Sequence, residues 1–174
     1  MRSDFVERDI LGHVLFALTP VNMLVCRVCL ETGLRVDDVL SIKSENLKKS
    51  SFTVTEKKTG KKKRVRLSEG LKKELRGVAG SVYIFEHRTD PAKHRTRQAV
   101  FSDMKRSAKL FRLRDNITPH TLRKAYAVEL MRKYGDIRKV AQALNHDENH
   151  PSTTIIYALA DILSNGCDYK KKKR

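Results

Sequence analysis

Apolar residues recur along this chain at two spacings. The spacing is three to four residues through most of its length and two residues in one stretch, so the pattern predicts a mainly helical protein interrupted by a hairpin. DFVERDILGHVLFAL (residues 4–18) and PVNMLVCRVCLETGL (20–34) read as the first two helices, with Gly33 a C-terminal stop for the second. RVDDVLSIKSENL (35–47) predicts a third at once. Asp37 and Asp38 fall in its first turn, Val39, Leu40 and Ile42 are spaced to pack, and Arg35 lies at its start.

The period then changes. In SFTVTEKKTGKKKRVRLS (51–68), Phe52 alternates with Val54 and Val65 with Leu67 around Thr59 and Gly60, which predicts a β-hairpin with a basic tip. EGLKKELRG (69–77) reads as a short helix and SVYIFEH (81–87) as a short apolar strand. Val100, Phe101, Met104, Ala108 and Phe111 make an amphipathic helix of residues 96–112. Thr118, a good N-cap, and Pro119, suited to the first helical position, start the next helix. Its stripe runs through Ala127, Leu130 and Tyr134, and Gly135 ends it. Asp136 caps a helix whose stripe is Ile137, Val140, Ala141 and Leu144. After the polar loop NHDENHPS, the residues Ile155, Ile156, Leu159, Ile162 and Leu163 predict a last helix that contains Tyr157 and stops near Gly166. The charged end, DYKKKKR, reads as a disordered tail.

Composition narrows the class. At 174 residues and 40% hydrophobic content the chain can bury one substantial core, and no repeat or linker divides it. A formal charge of +17 opposes compaction unless a polyanion compensates, which points to nucleic acid. The most apolar stretch, VLFALTPVNMLVC, is interrupted by Thr19, Pro20 and Asn22 and followed by Arg27, so no membrane partner is expected, and no secretory signal is seen. Three cysteines fit a reducing, cytoplasmic setting. Cys26 and Cys29 form a C-x-x-C inside an apolar helical run and read as buried thiols, and His146 and His150 have no second ligand cluster, so no metal is assigned.

Charge is concentrated where chemistry could use it. Seven of the ten residues from Lys57 to Arg66 are Lys or Arg, and Lys57, Lys61, Lys62, Lys63 and Arg64 are the expected DNA-facing cations of the hairpin. His120 and Arg123 share one face of their helix, three residues apart. Arg123 falls at the edge of the apolar face and needs an anionic partner there. A phosphate at the helix N-terminus would serve, as would a carboxylate with the histidine left in solvent.

In order, TGLRVDDVL, EKKTGKKKRVRLS, TPHTLRKAYA, VAQALNH and STTIIYA resemble the catalytic domain of tyrosine recombinases, the integrase family that shares its chemistry with type IB topoisomerases. The similarity runs from about Cys29 to Leu163. It implies an α+β, mainly helical fold with a small antiparallel hairpin, a catalytic domain over residues 1–166 and a basic tail over 167–174. It makes Arg35 and Arg123 the phosphate-binding arginines, Asp38 the acid that helps hold the site, Lys58 the catalytic lysine, His120 and His146 the two histidines and Tyr157 the nucleophile. Asn145 stands where the family usually has glycine, and His150 is the alternative second histidine.

The chemistry implied is strand cleavage through a 3′-phosphotyrosine, with no cofactor or small-molecule substrate, by a homo-oligomer (a tetramer) on double-stranded DNA. Nicking and resealing of the type IB topoisomerase kind, and a non-catalytic basic nucleic-acid-binding module, are the alternatives. Family members carry another DNA-binding domain ahead of the catalytic one, and nothing in this sequence resembles it.

Overall fold

Gly33, Thr118, Gly135 and Asp136 bound their helices where the sequence predicts. In a computed structural model that describes residues 3–145, the order is α1 (Arg8–Phe16), α2 (Pro20–Thr32), α3 (Val36–Leu40), a 3-10 turn (Ser44–Lys48), β1 (Phe52–Thr55), β2 (Lys62–Val65), α4 (Glu69–Arg76), α5 (Arg97–Leu110), α6 (Pro119–Tyr134) and α7 (Ile137–Ala143). The fold is α+β and mainly helical, with β1 and β2 antiparallel in the register Phe52↔Val65 and Val54↔Lys63. The expected last helix, the tail, His146, His150 and Tyr157 lie outside the described residues. Among the described residues no helix is long and apolar enough to cross a membrane.

α2 is the centre of the molecule. It packs against α1, α3, α4, α5 and α6, and Val25, Cys26 and Val28 on it are fully buried. A helix surrounded in this way must be apolar on nearly every face, as PVNMLVCRVCLET is. Burial pushes the Cys29 thiol up to about 12 and that of Cys26 well above its ordinary range, so both are packing groups. A second, smaller cluster (Ala127, Val128, Val140, Ala141, Leu144) joins α6 to α7.

Gly33 closes α2 with a left-handed φ of 67°, its amide on the Cys29 carbonyl at 2.8 Å. A Cβ there would also lie 2.3 Å from Tyr126 on α6, so glycine is needed both for backbone and for contact. This close approach sets the start of α3 beside α6.

Four expectations need correction. The helix expected over residues 35–47 ends at Leu40, where Ser41 Oγ donates to the Asp38 carbonyl at 2.9 Å. The chain then turns outward because Ile42 O accepts from Ile84 N at 3.1 Å. For the same reason residues 81–87 form single bridges, Lys43 to Tyr83 and Glu86 to His94, and no strand. Phe111 is the C-cap of α5 and 38% exposed, resting against His13 with ring centroids 5.9 Å apart. Tyr134, at the last position of α6, is 46% exposed.

One buried polar cluster ties α2 to α5. Asp103 Oδ2 accepts from Thr19 N (2.9 Å), Thr19 Oγ1 (2.8 Å) and Asn22 Nδ2 (2.7 Å), and its Oδ1 accepts from Arg106. Burial alone pushes this carboxyl up, but the donors from Asn22, Thr19 and Arg106 outweigh it and hold its pKa at about 2, below the ordinary 3.8. A depressed folded pKa stabilises the fold above the unfolded pKa, and that stability disappears as pH falls through the folded value. The shift is worth about 2 kcal/mol. Asp103→Asn should therefore lose about that much at pH 7 in urea unfolding and should flatten the loss of stability between about pH 4 and pH 2.

Candidate functional site

Three separate stretches of backbone bring cations to one place. Arg35 comes first, in extended conformation at the N-cap of α3 (φ −71°, ψ 148°), two residues beyond the Gly33 turn. Its half-buried guanidinium is ion-paired with Glu56. Asp38, one turn along, is 1% exposed. Its Oδ1 accepts from the Lys57 amide at 2.9 Å, and its Oδ2 has no hydrogen-bond partner among the described residues. Burial raises the Asp38 pKa, against the pull of the Lys57 amide, and the charge of Glu56 raises it further.

The hairpin supplies the second group. Gly60, with φ 66°, donates to Glu56 O at 2.8 Å, and Glu56 N donates to Lys61 O at 3.0 Å, so the tip is a closed turn. Lys57, Lys58, Lys61, Lys62 and Arg64 are all exposed. The side chain of Lys57 is turned to His94, with Nζ 3.2 Å from Nε2. Lys58 lies close enough to His120 for its charge to act there. Lys63, expected with the DNA-facing cations, points inward instead. Its Nζ donates to Thr32 O at 2.6 Å and Ala143 O at 2.5 Å, and it sits 5.4 Å from the centre of the Tyr126 ring. The register explains this, because Lys63 pairs with Val54, whose side faces the core. Burial, followed by the charge of Arg123, pushes the Lys63 pKa down to about 8.

α6 supplies the third. Thr118 Oγ1 accepts from His120 N and Thr118 N donates to Thr121 Oγ1, both at 3.2 Å, a reciprocal cap with Pro119 at the first helical position. The helix therefore starts in a fixed place, with His120 exposed on its first turn and Arg123, 2% exposed, one turn in. Arg123 donates to Gly33 O at 2.5 Å and Leu144 O at 2.7 Å. Burial lowers its pKa to about 10, which leaves it charged at neutral pH. Partial desolvation, reinforced by Arg123, Lys124, Arg35 and Lys58, pulls the His120 imidazole below its ordinary 6.5, although its outer surface meets solvent. His120 is thus neutral at pH 7 and able to accept a proton.

Arg35, His120 and Arg123 line one cleft of about 410 Å³, together with Arg97, Thr118 and Phe101. A second groove of about 530 Å³ lies between α1, α2 and α6 and shares no residue with it. That groove mixes Leu11, Leu15, Leu30 and Leu130 with charges of both signs, among them the ion pair of Arg8 and Glu129, whereas the cleft gathers Arg35, Arg97 and Arg123 with His120, so the cleft is the candidate site for an anionic ligand. Two residues the sequence reading passed over belong here. Glu56 is fully buried behind Arg35, on the inward side of the alternation Phe52, Val54. Arg97 reaches Asp37 at 3.5 Å across the rim. Among the described residues no group of three or more His, Cys, Asp or Glu could hold a metal ion.

The profile of the phage integrase family matches residues 15–162. A tyrosine recombinase XerC of Mesorhizobium japonicum is 30% identical over 149 residues, covering 80% of this chain and 47% of that protein. A tyrosine recombinase of Thermosipho africanus is 27% identical over 164 residues, covering 88% and 56%. The chain thus spans about half the length of the relatives it matches. In three dimensions it superposes on a lambda integrase bound to DNA with a TM-score of 0.72 at 20% identity, over 91% of this chain and 61% of that one.

The inward lysine has a measurable signature. A lysine whose folded pKa drops from 10.5 to about 8 keeps its proton in the unfolded chain longer than in the folded one. Between those two values the unfolded state binds more protons, so stability from this group rises with pH. Urea unfolding of the wild type and Lys63→Met from pH 7.5 to 9.5 should show the wild-type margin widening, while a constant margin would contradict the burial.

Proposed function

The chain belongs to the phage integrase family, and from that premise we propose that it is the catalytic portion of a site-specific DNA recombinase that cuts and rejoins duplex DNA through a 3′-phosphotyrosine. The observation that carries this reading is the single cleft lined by Arg35, His120 and Arg123. Two guanidiniums and a neutral imidazole at one opening suit a phosphodiester under attack.

In this reading the scissile phosphate enters the cleft with its nonbridging oxygens toward Arg35 and Arg123. As the Tyr157 oxygen attacks phosphorus, those oxygens gain charge, and planar forks fixed in advance stabilise that charge without rearranging. The phenol proton passes to His120, whose lowered pKa keeps it unprotonated and ready. Lys58 delivers a proton to the departing 5′ oxygen. His146 hydrogen-bonds the same phosphate, and Asp38 holds the hairpin base through the Lys57 amide. The products are a 3′-phosphotyrosyl linkage and a free 5′ hydroxyl. Attack by a second 5′ hydroxyl reverses the step and joins either the original or an exchanged strand, with no nucleotide or metal consumed.

The exposed hairpin cations Lys57, Lys58, Lys61, Lys62 and Arg64 fit backbone contacts beside the cleft. Strand exchange between two duplexes needs four active centres, and we assign the working form as a homotetramer on DNA.

A duplex nicked so that the cleaved fragment diffuses away traps the covalent product for gel analysis. The wild type should accumulate a denaturation-resistant complex. Tyr157→Phe should form none while binding duplex DNA equally well, since it removes one oxygen and no charge. Arg35→Ala and Arg123→Ala should each slow the reaction by about 10²–10³-fold, the scale of one lost transition-state donor. A second test addresses the acid. Replacing the leaving 5′ oxygen by sulfur should restore Lys58→Ala, because a thiolate leaves without a proton; restoration of Lys57→Ala instead would move the role by one residue.

A further inference from the structure

A carboxylate in a surface hairpin ordinarily points to water, where its charge is solvated. Glu56 is fully buried, and it is buried among donors contributed by three different segments. Arg35, at the start of α3, is ion-paired to Oε2. Thr59, in the turn that carries Lys58, donates its hydroxyl to the same oxygen at 3.1 Å. Asn145, just beyond α7, donates its amide to Oε1 at 3.3 Å and to Lys62 O at 3.4 Å. A buried charge is tolerable only with such partners, and removing any of them leaves the rest uncompensated.

Asn145 adds a detail particular to this chain. Its φ is 54°, in the left-handed region that glycine tolerates best and asparagine next best. Glycine would satisfy the backbone but would supply no amide. Asparagine satisfies the backbone and reaches Glu56 as well, so the residue preceding His146 is fastened to the hairpin by its side chain.

We propose that Glu56 is a positioning residue of the site: its carboxylate holds Arg35, the Lys58 turn and the end of α7 in one arrangement. This rests on the reading of the cleft as a phosphodiester site. Glu56 acts through Arg35, Thr59 and Asn145 rather than on the reacting atoms. It also supplies negative charge where Arg35, Lys63 and Arg123 crowd together, and its field favours the charged forms of Lys63 and Arg123. The arrangement makes a specific demand on energetics. Loss of the carboxylate frees Arg35 to move, which weakens its aim in the transition state, while the chain as a whole becomes one charge more positive and keeps its hold on DNA.

The test uses the full chain and the nicked duplex, with three readouts: duplex affinity at fixed salt, single-turnover covalent rate at saturating DNA, and thermal midpoint. Glu56→Gln, nearly isosteric, should slow the covalent step by about 10-fold, with affinity equal to or tighter than wild type. In an Arg35→Ala background the same change should cost less than about 2-fold, because residues that act as a unit are not additive. Should Glu56→Gln unfold, Thr59→Val and Asn145→Gly each remove one donor and leave the carboxylate in place, the glycine keeping the left-handed backbone at 145 unstrained. Each should slow the covalent step by roughly 2–5-fold at unchanged affinity. A Glu56→Gln rate equal to wild type, an equal loss in the Arg35→Ala background, or wild-type rates for both donor variants would overturn the proposal. A wild type that forms no covalent complex on any duplex would instead overturn the reading of the site itself, and the proposal with it.

Discussion

The site depends on two helix C-termini and the cations that close them. The last carbonyls of an α-helix lack intrahelical donors and carry the negative end of its dipole. Lys63 reaches Thr32 O and Ala143 O, and Arg123 reaches Gly33 O and Leu144 O. Two consecutive carbonyls at the end of α2 and two at the end of α7 are thus held by a pair of inward cations. Those four carbonyls are satisfied, and the two helices are fixed to the hairpin and to α6 by the same four contacts. Gly33 makes this possible, because any side chain there would collide with Tyr126 and separate α2 from α6.

Such a solution concentrates positive charge. Arg35 and His120 stand in the same cleft as Arg123, and Arg123 and Arg35 both depress the proton affinity of Lys63 and of His120. Carbonyl dipoles and two buried carboxylates, Asp38 and Glu56, hold the assembly in the absence of a polyanion. A phosphodiester entering the cleft would meet groups already oriented by interactions behind them, which is the condition for stabilising charge that develops only during reaction. Partial burial, reinforced by the same crowding, pulls the His120 pKa below its ordinary 6.5, so the packing that gathers the cations also tunes the imidazole beside them.

Much of this was legible in local chemistry. The Thr118–Pro119 start and the Gly33 and Gly135 stops depend only on residue type and neighbours, and they set the positions of Arg35, His120 and Arg123. The break at Ser41 and the loss of the strand at 81–87 were not legible, because both follow from a long-range pairing of Ile42 with Ile84. Lys63 and Glu56 form an intermediate case. Counting charge in KKTGKKKRVR treats its lysines as equivalent, whereas counting parity from Phe52, Val54 and Val65 puts Glu56 and Lys63 on the inner face. The ordered set of motifs carried the family reading where each motif alone did not. His146 and Tyr157 rest on that order, since they fall beyond residue 145.

The central claim is that these cations are arranged around a phosphate attacked by one particular tyrosine. The most direct measurement is to trap the protein on a nicked duplex, digest the complex with protease and nuclease, and locate the nucleotide-bearing peptide by mass spectrometry. The account predicts a 3′-phosphoryl nucleotide on Tyr157. Attachment to another residue, or through a 5′ phosphate, would contradict it.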